Sequence, residues 1–228
     1  MTKEQILMVC DHTVLRPEAD FREIVDNCRL AMHFNCASMC LPPCYVAPIR
    51  EMFGDQLRIT TVVGFPNGYC DTATKAYEAL HLINEGADEI DAVINIGWVR
   101  AGDYKAVAEE LRHLRRQTKN HVLKVIVETS KLPIPVLREV CRIVSDSGAD
   151  YIKTSTGFAE RGATVDDILI MREECSPETK IKAAGGIRTF GDAEALINAG
   201  ADRLGTSRLV QLMLPDITVK EVDEEKNR

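Results

Sequence analysis

A helix-like stretch turns directly into a strand-like one at Gly86-Ala87-Asp88-Glu89-Ile90-Asp91-Ala92-Val93-Ile94. The same Gly-Ala-Asp tripeptide returns at 148–150 and 200–202. Helix-like stretches precede the three copies, at 76–84, 135–145 and 192–198, and strand-like stretches follow them. Because glycine readily adopts the left-handed conformation that ends a helix, each copy predicts a helix-to-strand connection. Repeated alternation of helices and strands predicts a parallel sheet.

Further strand-like stretches between these connections complete a larger pattern. The predicted strands are 10–13, 36–41, 58–63, 89–94, 122–127, 151–154, 180–184 and 203–205. Eight strand–helix units predict an α/β fold of the (β/α)8 TIM barrel type as a single domain over residues 1–218. The charge-rich segment 219–228 is predicted to be a frayed tail. The first strand lacks a following Gly-x-Gly-x-x-Gly, which argues against a dinucleotide-binding fold.

The composition is typical of a soluble globular protein. Of 228 residues, 45% are hydrophobic and 28% are charged, which excludes a disordered chain. No apolar run approaches the roughly 18 residues that a membrane helix needs. Acidic residues interrupt the first thirty positions, so no signal peptide is visible. We therefore expect a cytoplasmic protein without a membrane partner.

The net charge of -7 bears on the class of ligand. Nucleic acids and anionic membranes require a positive surface, so neither is predicted as a partner. A small phosphorylated ligand remains compatible, because a few local cations or backbone amides can hold one phosphate. The oligomeric state stays open, with a homo-oligomer as one possibility.

Eight cysteines are spread along the chain without the density of a disulfide framework. Cys36, Cys40 and Cys44 follow His33 and invite a test as metal ligands. Their spacing is neither a zinc-finger nor an iron–sulfur pattern. We interpret them as small hydrophobic residues around a buried strand, and no metal is predicted.

Charged residues interrupt four strands that should be apolar on both faces. Asp91, Lys124, Lys153 and Lys182 lie in the fourth to seventh predicted strands. Because adjacent strands lie about 4.8 Å apart, inward-pointing side chains here would form one cluster. The alternative interpretation is a buried ion-pair network that only stabilises the barrel.

The cluster has the residue types that carbonyl chemistry needs. A free lysine has a pKa of about 10.4, but burial and a second ammonium group lower it. A neutral lysine amine attacks a carbonyl and forms a Schiff base, which acts as an electron sink. A neighbouring carboxylate can transfer protons.

Small residues follow the last two strands. Gly185 and Gly186 follow the seventh strand, and Gly205, Thr206 and Ser207 end the eighth. TIM barrels frequently bind phosphate at these two loops, through backbone amides and hydroxyls. The alternative interpretation is that the glycines only form turns.

The chain resembles the deoxyribose-phosphate aldolase family in six segments, in order from about residue 5 to residue 212. The matching segments are residues 11–17, 63–68, 86–97, 124–129, 149–158 and 182–189. The resemblance implies a metal-free class I aldolase without a cofactor. It also implies reversible cleavage of 2-deoxy-D-ribose 5-phosphate to D-glyceraldehyde 3-phosphate and acetaldehyde, with a phosphorylated deoxy sugar and small aldehydes as partners.

The same resemblance implies a role for each residue of the site. Lys153 matches the Schiff-base lysine, Lys182 the lysine that lowers its pKa, and Asp91 the carboxylate of the proton relay. The substrate-binding residues that it implies are Asp11, Thr13, Lys124, Gly157, Gly185, Gly186, Gly205, Thr206 and Ser207. For Asp11 and Thr13 the alternative is a capping pair before a helix.

The sequence also departs from the family. Arg208 and Leu209 stand where many members have serine and glycine, and no tyrosine follows Tyr151. The altered loop motivates a second hypothesis, in which the same chemistry acts on another sugar phosphate. A third hypothesis is an inactive barrel that serves as a scaffold or ligand-binding protein.

Overall fold

The computed structural model describes residues 1–216, and its strands form one closed parallel barrel. Each strand pairs with the next in chain order, and the eighth pairs with the first. The strands are β1 (Cys10–Thr13), β2 (Ser38–Cys40), β3 (Ile59–Val63), β4 (Glu89–Val93), β5 (Val122–Ile126), β6 (Tyr151–Lys153), β7 (Lys180–Ala184) and β8 (Arg203–Thr206). The predicted (β/α)8 barrel is therefore confirmed.

Helices surround the barrel and connect its strands. Within residues 1–216 they are α1 (Lys3–Leu7), α2 (Phe21–His33), α3 (Val46–Phe53), α4 (Thr72–Asn84), α5 (Ile96–Ala101), α6 (Tyr104–Thr118), α7 (Ile134–Asp146), α8 (Val165–Glu174) and α9 (Phe190–Asn198). The three helix-like stretches of the sequence lie within α4, α7 and α9. Asp71, Thr164 and Thr189 begin helices by accepting the N–H three residues on.

The strand predictions differ from the structure mainly at β2. The predicted strand 36–41 is reduced to Ser38–Cys40. The N–H of Cys36 donates to the carbonyl of Ala31 in α2, at 2.8 Å, so Cys36 caps the end of this helix instead of pairing in the strand. Helix capping therefore takes precedence over strand pairing at this position.

The Gly-Ala-Asp repeats connect neighbouring strands at the amino-terminal end of the barrel. The aspartate of each copy accepts a hydrogen bond from a backbone N–H of the preceding strand. The pairs are Asp88 with Ile59 (2.7 Å), Asp150 with Leu123 (2.8 Å) and Asp202 with Ile181 (2.7 Å). An arginine reaches each carboxylate as well, in the pairs Arg50–Asp88, Arg115–Asp150 and Arg172–Asp202. Through these hydrogen bonds the three repeats connect β3 to β4, β5 to β6 and β7 to β8.

The glycine of the first repeat is required by both conformation and space. Gly86 has φ +107°, and a Cβ there would lie 2.5 Å from Cγ of Arg50. Only glycine adopts this conformation without strain. Arg50 packs over the turn and donates to the Gly86 carbonyl.

Apolar side chains fill the layer between strands and helices, whereas the barrel interior is polar. Strand residues alternate in direction, so Ile90 and Leu123 face the helices while Asp91 and Lys124 face the barrel axis. This polar interior lies directly below the carboxyl ends of the strands, where barrel enzymes have their active sites.

Two further sequence predictions concern the carboxyl-terminal tail and the lack of a membrane-spanning helix. The boundary at residue 218 and the tail at 219–228 lie outside the described residues. No helix among residues 1–216 combines the length and the apolar character needed to cross a membrane.

Candidate active site

The structure brings the four charged strand residues together inside the barrel. Strand register places Asp91 beside Lys124 and Lys153 beside Lys182. The ammonium groups of Lys153 and Lys182 both donate to Oδ2 of Asp91 at 2.7 Å, and Lys124 donates to Oδ1 at 2.8 Å. We call these four residues the lysine–aspartate cluster. All of its members are buried.

Burial and charge act in opposite directions on the carboxylate of the cluster. Burial alone would raise the pKa of Asp91, but the ammonium groups of Lys124, Lys153 and Lys182 outweigh it and hold that pKa well below its usual range. Asp91 is therefore ionised at neutral pH and accepts hydrogen bonds from all three lysines.

Lys153 differs from the other two lysines in the direction of its shift. Burial lowers the pKa of Lys153, Asp91 opposes this effect, and the charge of Lys182 adds to it, so the net pKa lies below the usual lysine value. The neutral amine needed for attack on a carbonyl is consequently easier to form here than on a surface lysine.

Lys124 and Lys182 keep their charge more firmly. Burial disfavours both ammonium groups, but Asp91 raises the pKa of Lys124, and Asp11 together with Asp91 raises the pKa of Lys182. Asp11 contacts Lys182 and also accepts from Nη1 of Arg203 at 2.6 Å. Burial would raise the pKa of Asp11, yet these cations and Lys124 hold it below its usual range.

A cavity of about 870 Å³ opens above the lysine–aspartate cluster. Of the cluster, Lys153 lines this cavity. Seven of the predicted substrate-binding residues line it too: Thr13, Gly157, Gly185, Gly186, Gly205, Thr206 and Ser207. Asp11 and Lys124 lie beneath the cavity among the buried charges.

Asp11 and Thr13 belong to a strand, which makes the capping interpretation wrong. Both lie in β1, and the Thr13 hydroxyl donates to the carbonyl of Asp11 at 2.8 Å. The Asp11 carboxylate instead accepts from Ser38 at 2.8 Å, in addition to its cations.

Glycines let the loops after β6 and β7 approach each other along one wall of the cavity. Gly157, Gly185 and Gly186 all have positive φ values. A Cβ on Gly162 would lie 2.1 Å from the carbonyl carbon of Gly185. The glycines therefore form turns and also permit a close backbone approach beside the cavity.

Hydroxyl and guanidinium groups border the same part of the cavity. Thr206 donates to the Ile187 carbonyl and accepts from the N–H of Arg208, both at 3.0 Å, so its hydroxyl is already engaged. Arg188 and Arg208 line the cavity, are exposed, and form no ion pair with residues 1–216. Arg188 is not among the binding residues predicted above, although its position directly after Gly185-Gly186-Ile187 indicates this location.

Two buried charges at the amino-terminal ends of strands were missed from the sequence. Glu89 begins β4 and contacts Lys124, with Oε2 2.5 Å from Nζ. Arg203 begins β8 and contacts Asp11. Glu89 lies two residues before Asp91, on the same face of the strand, and this period of two was the signal.

Glu128 is a third residue that the sequence interpretation did not single out. It is buried, with φ +54°, and its Oε2 accepts from the N–H and the hydroxyl of Thr156 at 3.1 and 2.5 Å. Thr156 lies in the loop that follows Lys153 and lines the cavity. The carboxylate of Glu128 thus holds this loop in place through its two hydrogen bonds to Thr156.

The remaining candidate ligands have other roles. Burial raises the pKa of the Cys40 thiol to about 11. His12 of β1 is buried beside Asp11, and its Nε2 lies 2.7 Å from Oδ1 of Asn27, so this histidine packs against α2. Within residues 1–216, no three His, Cys, Asp or Glu side chains form a group that could hold a metal ion.

Comparison with known proteins places this site in context. A family model described as DeoC/LacD family aldolase matches residues 5–205. A deoxyribose-phosphate aldolase from Clostridium botulinum is 46% identical over 213 residues, covering 93% of this chain and 96% of the relative. One from Streptococcus pyogenes is 46% identical over 218 residues, covering 96% and 98%. The tetrameric deoxyribose phosphate aldolase from Aeropyrum pernix superposes with a TM-score of 0.87 at 27% identity, covering 95% of this chain and 94% of that one.

Proposed function

This chain belongs to the DeoC/LacD aldolase family, and on that premise we propose that Lys153 carries the reaction of its deoxyribose-phosphate aldolase relatives. The reaction is the reversible cleavage of 2-deoxy-D-ribose 5-phosphate to D-glyceraldehyde 3-phosphate and acetaldehyde. It proceeds through a Schiff base between substrate and lysine. The products belong to deoxyribonucleotide breakdown.

The assignment of Lys153 rests on the combination of its position and its pKa. Lys153 is the member of the lysine–aspartate cluster that lines the cavity. Burial and the charge of Lys182 lower its pKa, and Asp91 opposes them without reversing the shift. A nucleophilic amine must be both neutral and accessible to the substrate. Lys124 and Lys182 have raised pKa values and lie below the cavity, so they meet neither requirement.

Formation of the imine is the first half of the reaction. Neutral Lys153 attacks the open-chain aldehyde carbon, and the resulting carbinolamine loses water to give the protonated imine. Lys182 supplies positive charge and a proton for the departing water, and Asp91 holds both nitrogens on one oxygen. General acid–base assistance of this kind typically contributes about 10²- to 10⁴-fold in rate.

Cleavage follows from the electron demand of the imine. Removal of the C3 hydroxyl proton, through a water beside the cluster, drives breakage of the C2–C3 bond. The bonding electrons move into the imine, giving an enamine and releasing D-glyceraldehyde 3-phosphate. Protonation of the enamine at C2 and hydrolysis then release acetaldehyde and restore the amine of Lys153.

The substrate phosphate binds where the loops after β7 and β8 line the cavity. Gly185, Gly186 and Gly205 allow close approach of the backbone, and Ser207 offers an exposed hydroxyl. Arg188 and Arg208 add positive charge at the same rim. Together they compensate a dianion on a protein whose overall charge is negative.

Reductive trapping tests the assignment. The protein is incubated with 2-deoxy-D-ribose 5-phosphate and borohydride, digested, and analysed by peptide mass mapping. We expect the mass of a reduced substrate or ethyl adduct on the peptide that contains Lys153, and no turnover by Lys153→Leu. Lys180→Leu is the matched control, because Lys180 is an exposed lysine on the neighbouring strand.

Two results would overturn the proposal. An adduct on a different lysine would reassign the nucleophile. Unchanged cleavage of 2-deoxy-D-ribose 5-phosphate by Lys153→Leu would remove Schiff-base chemistry from this site.

We also infer that the chain forms a homo-oligomer, as the Aeropyrum pernix relative does. Sedimentation velocity at several protein concentrations tests this inference. A single species with the mass of one chain at every concentration would contradict it.

A further inference from the structure

Glu89 and Arg203 close the buried charge network at the amino-terminal end of the barrel. We call these two residues the floor pair. The exposed fraction is 1% for Glu89 and 9% for Arg203. Glu89 contacts Lys124, and Arg203 Nη1 lies 2.6 Å from Oδ1 of Asp11 and 3.6 Å from Oε2 of Glu89. Neither residue lines the cavity, so any effect on the reaction passes through other side chains.

Full ionisation of the barrel interior would leave it with one surplus positive charge. The strand residues that face the axis include three carboxylates, Asp11, Glu89 and Asp91, and four cations, Lys124, Lys153, Lys182 and Arg203. An uncompensated charge in a buried site is strongly unfavourable. The interior therefore favours the loss of one proton, and a guanidinium group does not lose it.

The contacts of the three lysines decide which of them loses the proton. Lys124 lies within 3.5 Å of the Glu89, Asp91 and Asp11 carboxylates. Lys182 contacts both Asp11 and Asp91. Lys153 contacts only Asp91 among the described carboxylates, at 2.7 Å. Deprotonation of Lys153 therefore loses less electrostatic attraction to the carboxylates than deprotonation of Lys124 or Lys182 would.

We propose that Glu89 and Arg203 are positioning residues that set the charge balance of the barrel interior, so that Lys153 is the amine left neutral. The floor pair acts through Lys124 and Asp11, which it contacts directly. This inference rests on the proposed function, because it explains how the Schiff-base lysine becomes neutral.

Other groups facing Lys153 are unchanged in the experiment, so the effect can be assigned to the floor pair. The groups from the strands that act on Lys153 directly are Cys40 of β2, Asp91 of β4 and Lys182 of β7. Around the floor pair itself lie Asp11 of β1, Lys124 of β5, the hydroxyl of Tyr151 of β6, and Arg58, whose Nε is 4.0 Å from Oε1 of Glu89. At the rim of the cavity lie Arg16, Arg188 and Arg208.

Substitutions in the floor pair should move the pKa of Lys153 in opposite directions. Arg203→Met removes a positive charge, so the protonated amine becomes less costly and the pKa rises. Glu89→Gln removes a negative charge, so the pKa falls. A charge about 10 Å away at an effective dielectric constant near 20 shifts a pKa by about one unit.

The test measures the pH at which Lys153 becomes reactive, separately from turnover. Each variant is treated briefly with acetaldehyde and borohydride across a pH series, and the Lys153 peptide is quantified by mass. The midpoint should move up by about one pH unit in Arg203→Met and down by about one unit in Glu89→Gln. The pH profile of kcat/KM for 2-deoxy-D-ribose 5-phosphate should move in the same directions.

Two further variants separate charge balance from a structural role. Arg203→Lys keeps the charge and should retain the wild-type midpoint. The double variant Glu89→Gln/Arg203→Met removes one charge of each sign and should return the midpoint to within about 0.3 pH units of wild type. A purely structural role predicts instead that the double variant is the most impaired.

The outcomes distinguish this inference from the proposed function. A Lys153 adduct whose midpoint is the same in all variants overturns the floor-pair inference and leaves the Schiff-base assignment intact. A double variant displaced as far as either single variant overturns it as well. Absence of any Lys153 adduct in the wild-type protein overturns the proposed function itself.

Discussion

At the scale of single residues, Lys153 and Lys182 show that the surroundings of a lysine side chain decide the direction in which its pKa shifts. Both ammonium groups donate to Oδ2 of Asp91 at 2.7 Å. Lys182 also contacts Asp11, and the two carboxylates together outweigh burial, so the pKa of Lys182 rises. Among residues 1–216, Lys153 forms an ion pair with Asp91 alone, and its pKa falls. The ammonium group of Lys153 therefore loses its proton more easily than that of Lys182 within one buried site.

Lys182 is expected to be required for turnover. Lys182→Met removes the cation beside Asp91 and the acid for water departure, so kcat should fall by about 10²- to 10⁴-fold. Lys180→Met, two residues earlier on β7 and exposed, should change kcat by no more than about twofold. Both are measured by a coupled assay for D-glyceraldehyde 3-phosphate; equal rates for the two variants would contradict the prediction.

Arg208 is expected to act on binding of the phosphate. A guanidinium group forms strong hydrogen bonds with phosphate, so Arg208→Gln should raise KM for 2-deoxy-D-ribose 5-phosphate by about tenfold with little change in kcat. Cleavage of unphosphorylated 2-deoxyribose should be unaffected. Arg116→Gln, an exposed arginine on α6, is the control. A KM unchanged in Arg208→Gln would show that the arginine does not contact the phosphate.

At the scale of elements, one short repeat organises half of the barrel. In each Gly-Ala-Asp copy the glycine ends a helix, and the aspartate binds a backbone N–H of the neighbouring strand. These contacts lie at the amino-terminal end, away from the cavity. The barrel thus separates residues for stability from residues for chemistry, which leaves the opposite loops free to vary.

The contact between the loops after β6 and β7 is expected to control the geometry of the cavity. Gly162→Ala would place a Cβ 2.1 Å from the Gly185 carbonyl group, so one loop must move. Because a displacement of about 1 Å can cost about 10²-fold in rate, kcat/KM should fall by 10- to 100-fold. Gly191→Ala in α9, where a Cβ meets nothing closer than 3.6 Å, is the control. Wild-type kinetics in Gly162→Ala would contradict this prediction.

At the scale of the whole molecule, the barrel is closed around a charged interior rather than an apolar one. Its stability therefore depends on the ionisation of Asp11 and Asp91, whose pKa values are lowered by the surrounding cations. The unfolded chain binds protons at higher pH than the folded protein does. The stabilising contribution of these two carboxylates is consequently complete above about pH 4 and is lost as the pH falls towards their folded pKa values.

The predicted loss of stability at acid pH can be measured directly. The free energy of unfolding, from urea denaturation, should fall below about pH 4 by about 1.4 kcal/mol per pH unit for each such carboxylate. Asp11→Asn should remove one carboxylate's share of that slope, whereas Asp146→Asn on the exposed surface of α7 should not. A free energy that stays constant from pH 6 to pH 3 would contradict the prediction.

Much of the architecture and part of the site were predictable from the sequence. Helix-ending glycines and alternating helices and strands are local signals, so the barrel was predicted with its strands nearly in place. In a closed parallel barrel, consecutive strands are neighbours, and charged residues at inward positions must therefore meet. This is why Asp91, Lys124, Lys153 and Lys182 were identified as one cluster without any coordinates.

Other features required the tertiary structure, because they depend on residues far apart in the chain. Arg203 meets Asp11 across 192 positions, and no local pattern indicates that pairing. The pKa of Lys153 is lowered while the pKa values of Lys124 and Lys182 are raised, and this difference follows from how many carboxylates each amine contacts. Local sequence therefore determined the barrel and the residues of its interior. Three-dimensional proximity and burial decided the direction in which the pKa of each interior lysine shifts, because they set the electrostatic energies.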